Sequence, residues 1–503
     1  MNNNALEIFE EPLLEFGHNQ KLEDPHDGLA LFGPVDLNIS SQKPSKIRWG
    51  VIGTKKGISF LQEWIKIIQK PILPEAGTQK ERIWPPFPGF EAVFHAELPT
   101  QPSSAFEVSE EELIKASQEN DPYKRAFHVV EKYLDGIEKK IKKKDEPIDV
   151  IICVVPDLIY QSCKPKSKIS KGWGHRPSQK DIKSYKSGQQ FLFDKIDPNI
   201  YNLSVDFRRQ LKARVMKYNI PIQIMRESTI NPNPNDEDRR GLTPLTDRAW
   251  NMTTTLYYKV GGKPWKLSTA REGVCYIGMA FKRSGLEKGA KTATCAAQMF
   301  LDSGDGIVFV GEEGPWYSQI KKEFHLTEEA AKKLLSGVLN SYRSLEGKDL
   351  KEIFIHSRSE VNESEINGYL AACPKDIKLV IIRVRPEKGG LKLFREGIRP
   401  VLRGTFLKKN DKTGYLWGSG FKSRLGVYDG WEIPNPLKID ILHGTASIEQ
   451  VARDIFGLTK LNYNTCKLGD AEPVTVKFSE AVGEILVSNQ ALKETKSQFK
   501  FYI

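Results

Sequence analysis

The order in which strand-like and helix-like stretches follow one another after residue 270 constrains this chain more than any other feature. Residues 274–283 read as a strand. Residues 294–301 and 307–311 read as a hairpin across the turn Asp302-Ser303-Gly304-Asp305-Gly306. Thr327 then caps a helix with Glu328 and Glu329 in its first turn and Leu334, Leu335, Val338, Leu339 and Tyr342 along its apolar face. A strand at 353–356, a short helix at 363–372 and a strand at 377–384 follow.

Three strands as a meander, then helix, strand, helix, strand, is the order of an RNase H-like domain. The first half has a different rhythm. Ser109 with Glu112 reads as a capping box, Asp121 before Pro122 as a helix start, and Phe127, Val130, Leu134, Ile137 and Ile141 fall on one helical stripe. The lysines at its end, 139–144, suit a helix C-terminus. The run Val150-Ile151-Ile152-Cys153-Val154-Val155, bounded by Pro147 and Pro156, is expected of a buried parallel strand. A helix-like stretch at 206–218 and a strand at 221–225 complete an α/β unit of Rossmann type. The expected fold class is therefore α/β, with a Rossmann-like domain within residues 1–267 and an RNase H-like domain at 268–503.

Composition supports folded domains. At about 150 residues per domain, 503 residues suggest two to four, and 39% hydrophobic with 28% charged residues lies far from disordered compositions. The 75 Lys and Arg exceed the 64 Asp and Glu, giving +11, which favours a polyanionic partner. The six cysteines show no CxxC pair and read as buried thiols. The N-terminus has no leader pattern and no run approaches the ~20 apolar residues of a membrane helix, so a soluble, cytoplasmic protein without a membrane partner is expected. One segment, 163–188, carries eight Lys or Arg against Asp181 alone, interleaved with Trp173 and Tyr185. It reads either as a solvated loop or as a nucleic-acid contact, since base stacking beside phosphate contacts needs that mixture.

RNase H-like nucleases hold two divalent metals with carboxylates from the middle of the first strand, the end of the fourth and a late helix. Here 273–283 has no carboxylate, and Ala280 or Met279 stands where the acid belongs. The fourth strand runs into Arg358, and Glu360 and Glu480 are isolated acids. The expected slicer positions, Ala280, Arg358 and Glu480, are thus degenerate. Gly261-Gly262 follows an expected strand but lacks the rest of a dinucleotide fingerprint, and no Walker, Gly-x-Ser-x-Gly or His-Glu-x-x-His motif occurs.

A Rossmann-like domain followed by an RNase H-like domain resembles the MID plus PIWI arrangement of Argonaute proteins. In that family the MID domain holds the guide 5′-phosphate with an aromatic or cationic residue, a Lys four positions on, a later Gln and a Lys before Gly-Gly. The matching residues here are Arg208, Lys212, Gln223 and Lys259. Arg208 and Lys212 lie at i and i+4 on one helix face, Gln223 ends the next strand and Lys259 closes the cage. Arg208 stands where relatives carry His or Tyr.

The stretches 27–34, 87–94, 226–229, 295–300, 314–317 and 461–464 resemble short prokaryotic Argonautes that work with a TIR-APAZ protein. The resemblance implies a MID-PIWI chain without N and PAZ domains and with an inactive PIWI domain. It implies a noncatalytic sensor that pairs a guide RNA with single-stranded DNA of an invading plasmid or phage. The chain would form a heterodimer with the TIR-APAZ partner and a higher oligomer on target binding, whereupon the partner hydrolyses NAD(P). It also implies a Mg²⁺ bridging guide phosphates, with the carboxylate of Ile503 as ligand. A sirtuin-type effector, or an active nuclease using nonstandard acids, are the alternatives.

Overall fold

An unbroken run of β-branched residues at 150–155 becomes a strand buried along its whole length, and the first domain is arranged around it. The protein was analysed as a computed structural model. It describes residues 6–39, 43–74, 82–141, 147–165, 167, 197–232, 243–283, 293–300, 306–310, 316–318, 323–344, 349–428, 430–488 and 496–503. The turn 302–305 and nearly all of the basic segment 163–188, with Trp173 and Tyr185, lie outside these.

The chain begins with β1 (Leu6–Ile8), β2 (Leu14–Glu15) and β3 (Lys21–Leu22), then enters a four-stranded parallel sheet. This comprises β4 (Trp49–Gly53), β5 (Ser104–Glu107), β6 (Val150–Val155) and β7 (Ile222–Arg226), in the order β5-β4-β6-β7. Alternation along β6 divides the two faces. Ile151, Cys153 and Val155 pack with Val129, Val130, Leu134 and Leu211, while Val150, Ile152 and Val154 face the helix Lys55–Ile68 through Leu61 and Trp64. Both faces are covered, as a parallel sheet requires.

Helices Glu110–Ser117 and Pro122–Gly136 lead into β6. The Ser109 hydroxyl accepts from the Glu112 amide at 3.3 Å, but the Glu112 carboxylate pairs with Lys132 at 2.6 Å, so half of the expected capping box forms. Helix Phe207–Val215 and a tight turn at Met216–Tyr218 feed β7. This strand extends to Arg226, so Gln223 lies near its beginning rather than its end.

The strand expected before Gly261-Gly262 is instead the helix Leu245–Lys259. The helix is buried on most sides, and Thr253 and Thr255 return their hydroxyls to the carbonyls of Ala249 and Asn251 at 2.7 and 2.8 Å, which removes the polar cost of burying them.

After β8 (Lys266–Leu267) the second domain supplies β9 (Val274–Arg283), β10 (Ala293–Phe300), β11 (Gly306–Val310), the hairpin β12 (Trp316–Ser318) and β13 (Glu323–His325), β14 (Glu352–Ser357), β15 (Lys378–Pro386), β16 (Thr405–Asn410), β17 (Thr413–Leu416) and β18 (Leu437–His443). Nine strands form one sheet, ordered β1-β16-β17-β18-β15-β14-β9-β10-β11. The β9-β10-β11 meander is antiparallel, and β14 runs parallel to both β9 and β15, as an RNase H-like order demands. Helices Glu328–Ser344 and Glu363–Ala372 contribute to the core on one face. Helix Val474–Leu486 packs on the opposite face of β9. The approach is close: a Cβ on Gly278 would lie 1.7 Å from the Thr475 carbonyl oxygen.

The opening residues belong structurally with the second half. β1 adds to the edge of the large sheet, with Leu6 opposite Leu407, and β2 pairs with β8. Between them Glu11 is buried against Arg403 at 3.0 Å and Lys460 at 2.9 Å, an anchor that holds its carboxyl below the usual carboxylate range despite burial. Cys153, Cys163, Cys275, Cys373 and Cys466 are free thiols. Among the described residues no helix is long and apolar enough to cross a membrane.

Candidate nucleic-acid interface

Asp206 caps the helix Phe207–Val215 by accepting from the Arg209 amide at 3.2 Å, which fixes the face the helix presents. One turn apart on that face, Arg208 and Lys212 line a cavity of about 460 Å³ together with Gln223, Asn464, Tyr502 and Ile503. Arg208 is exposed and Lys212 half-buried. The Lys212 ammonium donates to the Tyr502 carbonyl at 3.2 Å. Lys259, at the end of its helix, is fully buried behind the cavity wall, where its ammonium donates to the Ile222 carbonyl at 2.8 Å and to the main-chain oxygen of Ile503. The Gln223 amide rests against the Ile224 carbonyl at 3.4 Å.

The structure thus brings Arg208, Lys212, Gln223 and Ile503 to one cavity, with Lys259 directly behind it. The two carboxylates at the rim do not lie free for these cations. Arg209 takes Glu484 at 2.7 Å and Asp206 at 3.7 Å. Burial, with the Arg208 guanidinium adding to it and Asp206 opposing, pushes Lys212 down to about 7. Burial, with Lys212 and Arg208 beside it, pushes Lys259 well below the ordinary lysine range. Lys212, which donates to the Tyr502 carbonyl, favours an arriving anion, and a compact one with several acceptor oxygens can engage Arg208 as well.

The chain end packs inward as its apolar residues suggest. The Phe499 ring lies tilted against that of Phe478 at 4.7 Å, and Phe501, Tyr502 and Ile503 are buried. The expected role of Ile503 as a metal ligand meets a different partner here, the Lys259 ammonium on its carbonyl oxygen. Among the described residues no group of three or more His, Cys, Asp or Glu could hold a metal ion. A divalent cation therefore fits this cavity only with most of its oxygens supplied by a bound ligand. Arg209, Glu484 and Asn464 shape the cavity without having been singled out by charge pattern. Asn464 does close the 461–464 stretch, and the Arg209–Glu484 pair spans 275 residues, beyond any local signal.

The residues expected at the slicer positions, Ala280, Arg358 and Glu480, also converge. Gly278 pairs with His356 and Met279 with Ser357, so Ala280 and Arg358 each follow by one residue. Ala280 shares the β9 face of Gly278, toward helix Val474–Leu486 and its Glu480. Arg358 pairs with Glu480 at 3.2 Å and with Glu472. Below them His356 is fully buried with its Nδ1 at 2.9 Å from the Thr475 hydroxyl, and burial pushes it down to about 3. Glu360 belongs to a separate cluster, 3.1 Å from Arg383. A single guanidinium, that of Arg358, thus sits between the Glu472 and Glu480 carboxylates.

The chain has the MID–PIWI fold of Argonaute proteins. Clostridium butyricum Argonaute, solved with a guide DNA (5′ deoxycytidine) and a 19-mer target DNA, superposes with a TM-score of 0.62 at 16% identity over 99% of this chain and 55% of that one. The A. aeolicus Argonaute gives 0.56 at 13% identity over 98% and 55%. Drosophila Piwi gives 0.56 at 13% over 99% and 56%. The chain spans about half the length of these structures. No family model and no curated protein matches it.

Proposed function

We propose that this chain is a noncatalytic, guide-RNA-directed sensor of single-stranded invader DNA, and that it acts through a TIR-APAZ partner whose NAD(P) hydrolysis it releases on target binding. The observation that carries the guide-binding part is the cation cluster: Arg208 and Lys212 line one cavity and Lys259 lies behind its wall, with main-chain oxygens as the partners of the two lysines. A 5′-terminal phosphate supplies the missing negative charge. Arg208 at the rim meets it first, Lys212 exchanges the Tyr502 carbonyl for a phosphate oxygen, and Lys259 adds its field from behind the wall. Gln223 donates its amide. A Mg²⁺, where bound, would screen adjacent guide phosphates from one another, with Ile503 as its protein ligand.

The noncatalytic part is supported by the Arg358–Glu472–Glu480 cluster, which leaves no set of free carboxylates for two metals among the described residues. The partner and the oligomer rest on the sequence stretches that resemble TIR-APAZ-linked short Argonautes. The test uses the chain copurified with its TIR-APAZ partner. A 5′-phosphorylated guide with matched DNA is expected to trigger NAD loss, and a mismatched target is not. NAD loss without a guide, or equal loss with a mismatched target, would sink the reading.

A further inference from the structure

The helix Leu245–Lys259 borders a different cavity at each end. Its last turn meets the cation cavity. Its first turn, ~20 Å away for 15 residues at 1.5 Å each, opens on a second cavity of about 450 Å³. Walls come from several separate parts of the chain, among them Trp84, Asp247, the stretch with Lys422, Tyr428 and Trp431, and Lys467.

Three features of this cavity ask for a ligand. Asp247 is only 7% exposed, yet its carboxylate has no hydrogen bond or ion pair among the described residues, and the neighbouring Arg248 turns away to the Thr229 carbonyl. Because Asp247 lines the cavity, its oxygens are open to a donor that a ligand brings. Trp431 is fully exposed at the lip, its whole ring available to a flat partner. Lys467, exposed beside it, has no ion-pair partner among the described residues.

These demands select among ligands. A planar ring answers the tryptophan, an anion answers the lysine, and two adjacent N–H donors answer the carboxylate. Guanine presents N1–H beside its 2-amino group. Adenine and cytosine place a ring acceptor beside their amino group, and uracil flanks one N–H with two carbonyls, so each turns a lone pair toward a carboxylate. A cationic side chain would satisfy Asp247 but meets Lys422 and Lys467 on the same walls.

We propose that this cavity binds a guanine nucleotide, with Asp247 accepting from N1–H and the 2-amino group, Trp431 covering the base and Lys467 meeting the phosphate. The site is separate from the 5′-phosphate cavity and does not depend on that reading. The nucleotide comes either free or as an unpaired base of a bound strand.

Titration of the full chain with GMP and AMP, followed by tryptophan fluorescence, tests it. GMP is expected to bind at least about tenfold tighter than AMP, the discrimination of one bidentate base contact. Asp247→Asn, of the same shape, should erase the preference. Lys467→Ala should weaken GMP and leave guanosine unchanged. Lys212→Ala should remove only the binding that GMP and AMP share through their 5′-phosphate and leave the preference for GMP intact, so failure here and failure of the guide cavity are distinguishable. A second arm compares loaded complexes whose target carries an unpaired dG or dA beyond the duplex. Preference for GMP supports a free-nucleotide site, and preference only for dG supports a strand-reading site. Equal affinity for both bases in both arms, or a preference untouched by Asp247→Asn, overturns the proposal.

Discussion

Two clusters built from the same residue types lie along one helix, Val474–Leu486, and end with opposite electrostatic characters. Glu480 leans to Arg358, and Glu484, one turn later, leans to Arg209. At the first place a guanidinium and two carboxylates satisfy one another. At the second, Arg209 engages the nearby side-chain carboxylates, leaving Arg208, Lys212 and Lys259 among main-chain oxygens and an amide. The number of charged residues does not decide what a site attracts; the pairing within it does. On the proposed function, the first cluster is closed to a metal and the second is open to an anion.

The largest expected consequence lies at the open cluster. Removing both ammonium groups, Lys212→Ala with Lys259→Ala, deletes two charge-assisted contacts or fields at about 1.5–3 kcal/mol each, so affinity for a 5′-phosphorylated guide should fall by roughly 10²–10⁴-fold. The same guide with a 5′-hydroxyl should change little, which separates a lost contact from a misfolded chain. Equal losses for both guides in a filter-binding titration would show that the lysines only hold the chain end in place.

The next effect is on pH. Lys212 is pushed down to about 7 in the free protein, and a bound phosphate favours its protonated form, so binding above pH 7 takes up a proton. Affinity for the 5′-phosphate is expected to fall with rising pH between 7 and 9, by up to about tenfold per unit. Without ligand the sign reverses. An unfolded lysine, near its ordinary 10.4, holds more protons than the folded one from about pH 7 to 10, so folding stability contributed by this group rises with pH across that window. A flat affinity profile from pH 7 to 9 would mean that Lys212 is already charged without the phosphate.

How much of this was readable beforehand follows from which forces are local. The β6 run, the Asp121 and Ser109 caps and the strand-helix alternation of the second domain lay where periodicity and capping chemistry placed them. The helix at 245–259 did not, because Thr253 and Thr255 satisfy their hydroxyls inside a buried helix that propensity disfavours. Arg208 and Lys212 were legible as an i, i+4 pair. The Arg358–Glu480 pair was not, since each residue reads as isolated until β14 and the last helix are folded together. The joining of β1 to β16, nearly 400 residues on, leaves no trace in either strand.

A smaller effect, common to both clusters, is expected at Gly278. Because a Cβ there would lie 1.7 Å from the Thr475 carbonyl, Gly278→Ala must push the helix Val474–Leu486 off β9, at about 1–3 kcal/mol of stability. That helix carries Glu480 and Glu484, so guide affinity should fall with the melting temperature. A destabilised variant with unchanged guide affinity would show that the two clusters are mechanically independent.

The smallest expected effect isolates the closed cluster. Arg358 and its two partners are each roughly a third exposed. Arg358→Ala should therefore cost only about 1 kcal/mol, more at low salt, where the two carboxylates left facing one another are less screened. Freed of the guanidinium, Glu472 and Glu480 should gain a weak affinity for Mn²⁺, seen as a rise in melting temperature on adding the metal to the variant and not to the wild type. Guide-matched DNA should stay intact with either metal in the wild-type protein. If the purified wild type cuts that DNA in Mn²⁺, Arg358 does not hold the site closed, and the contrast between the two clusters fails at the point where it is most specific.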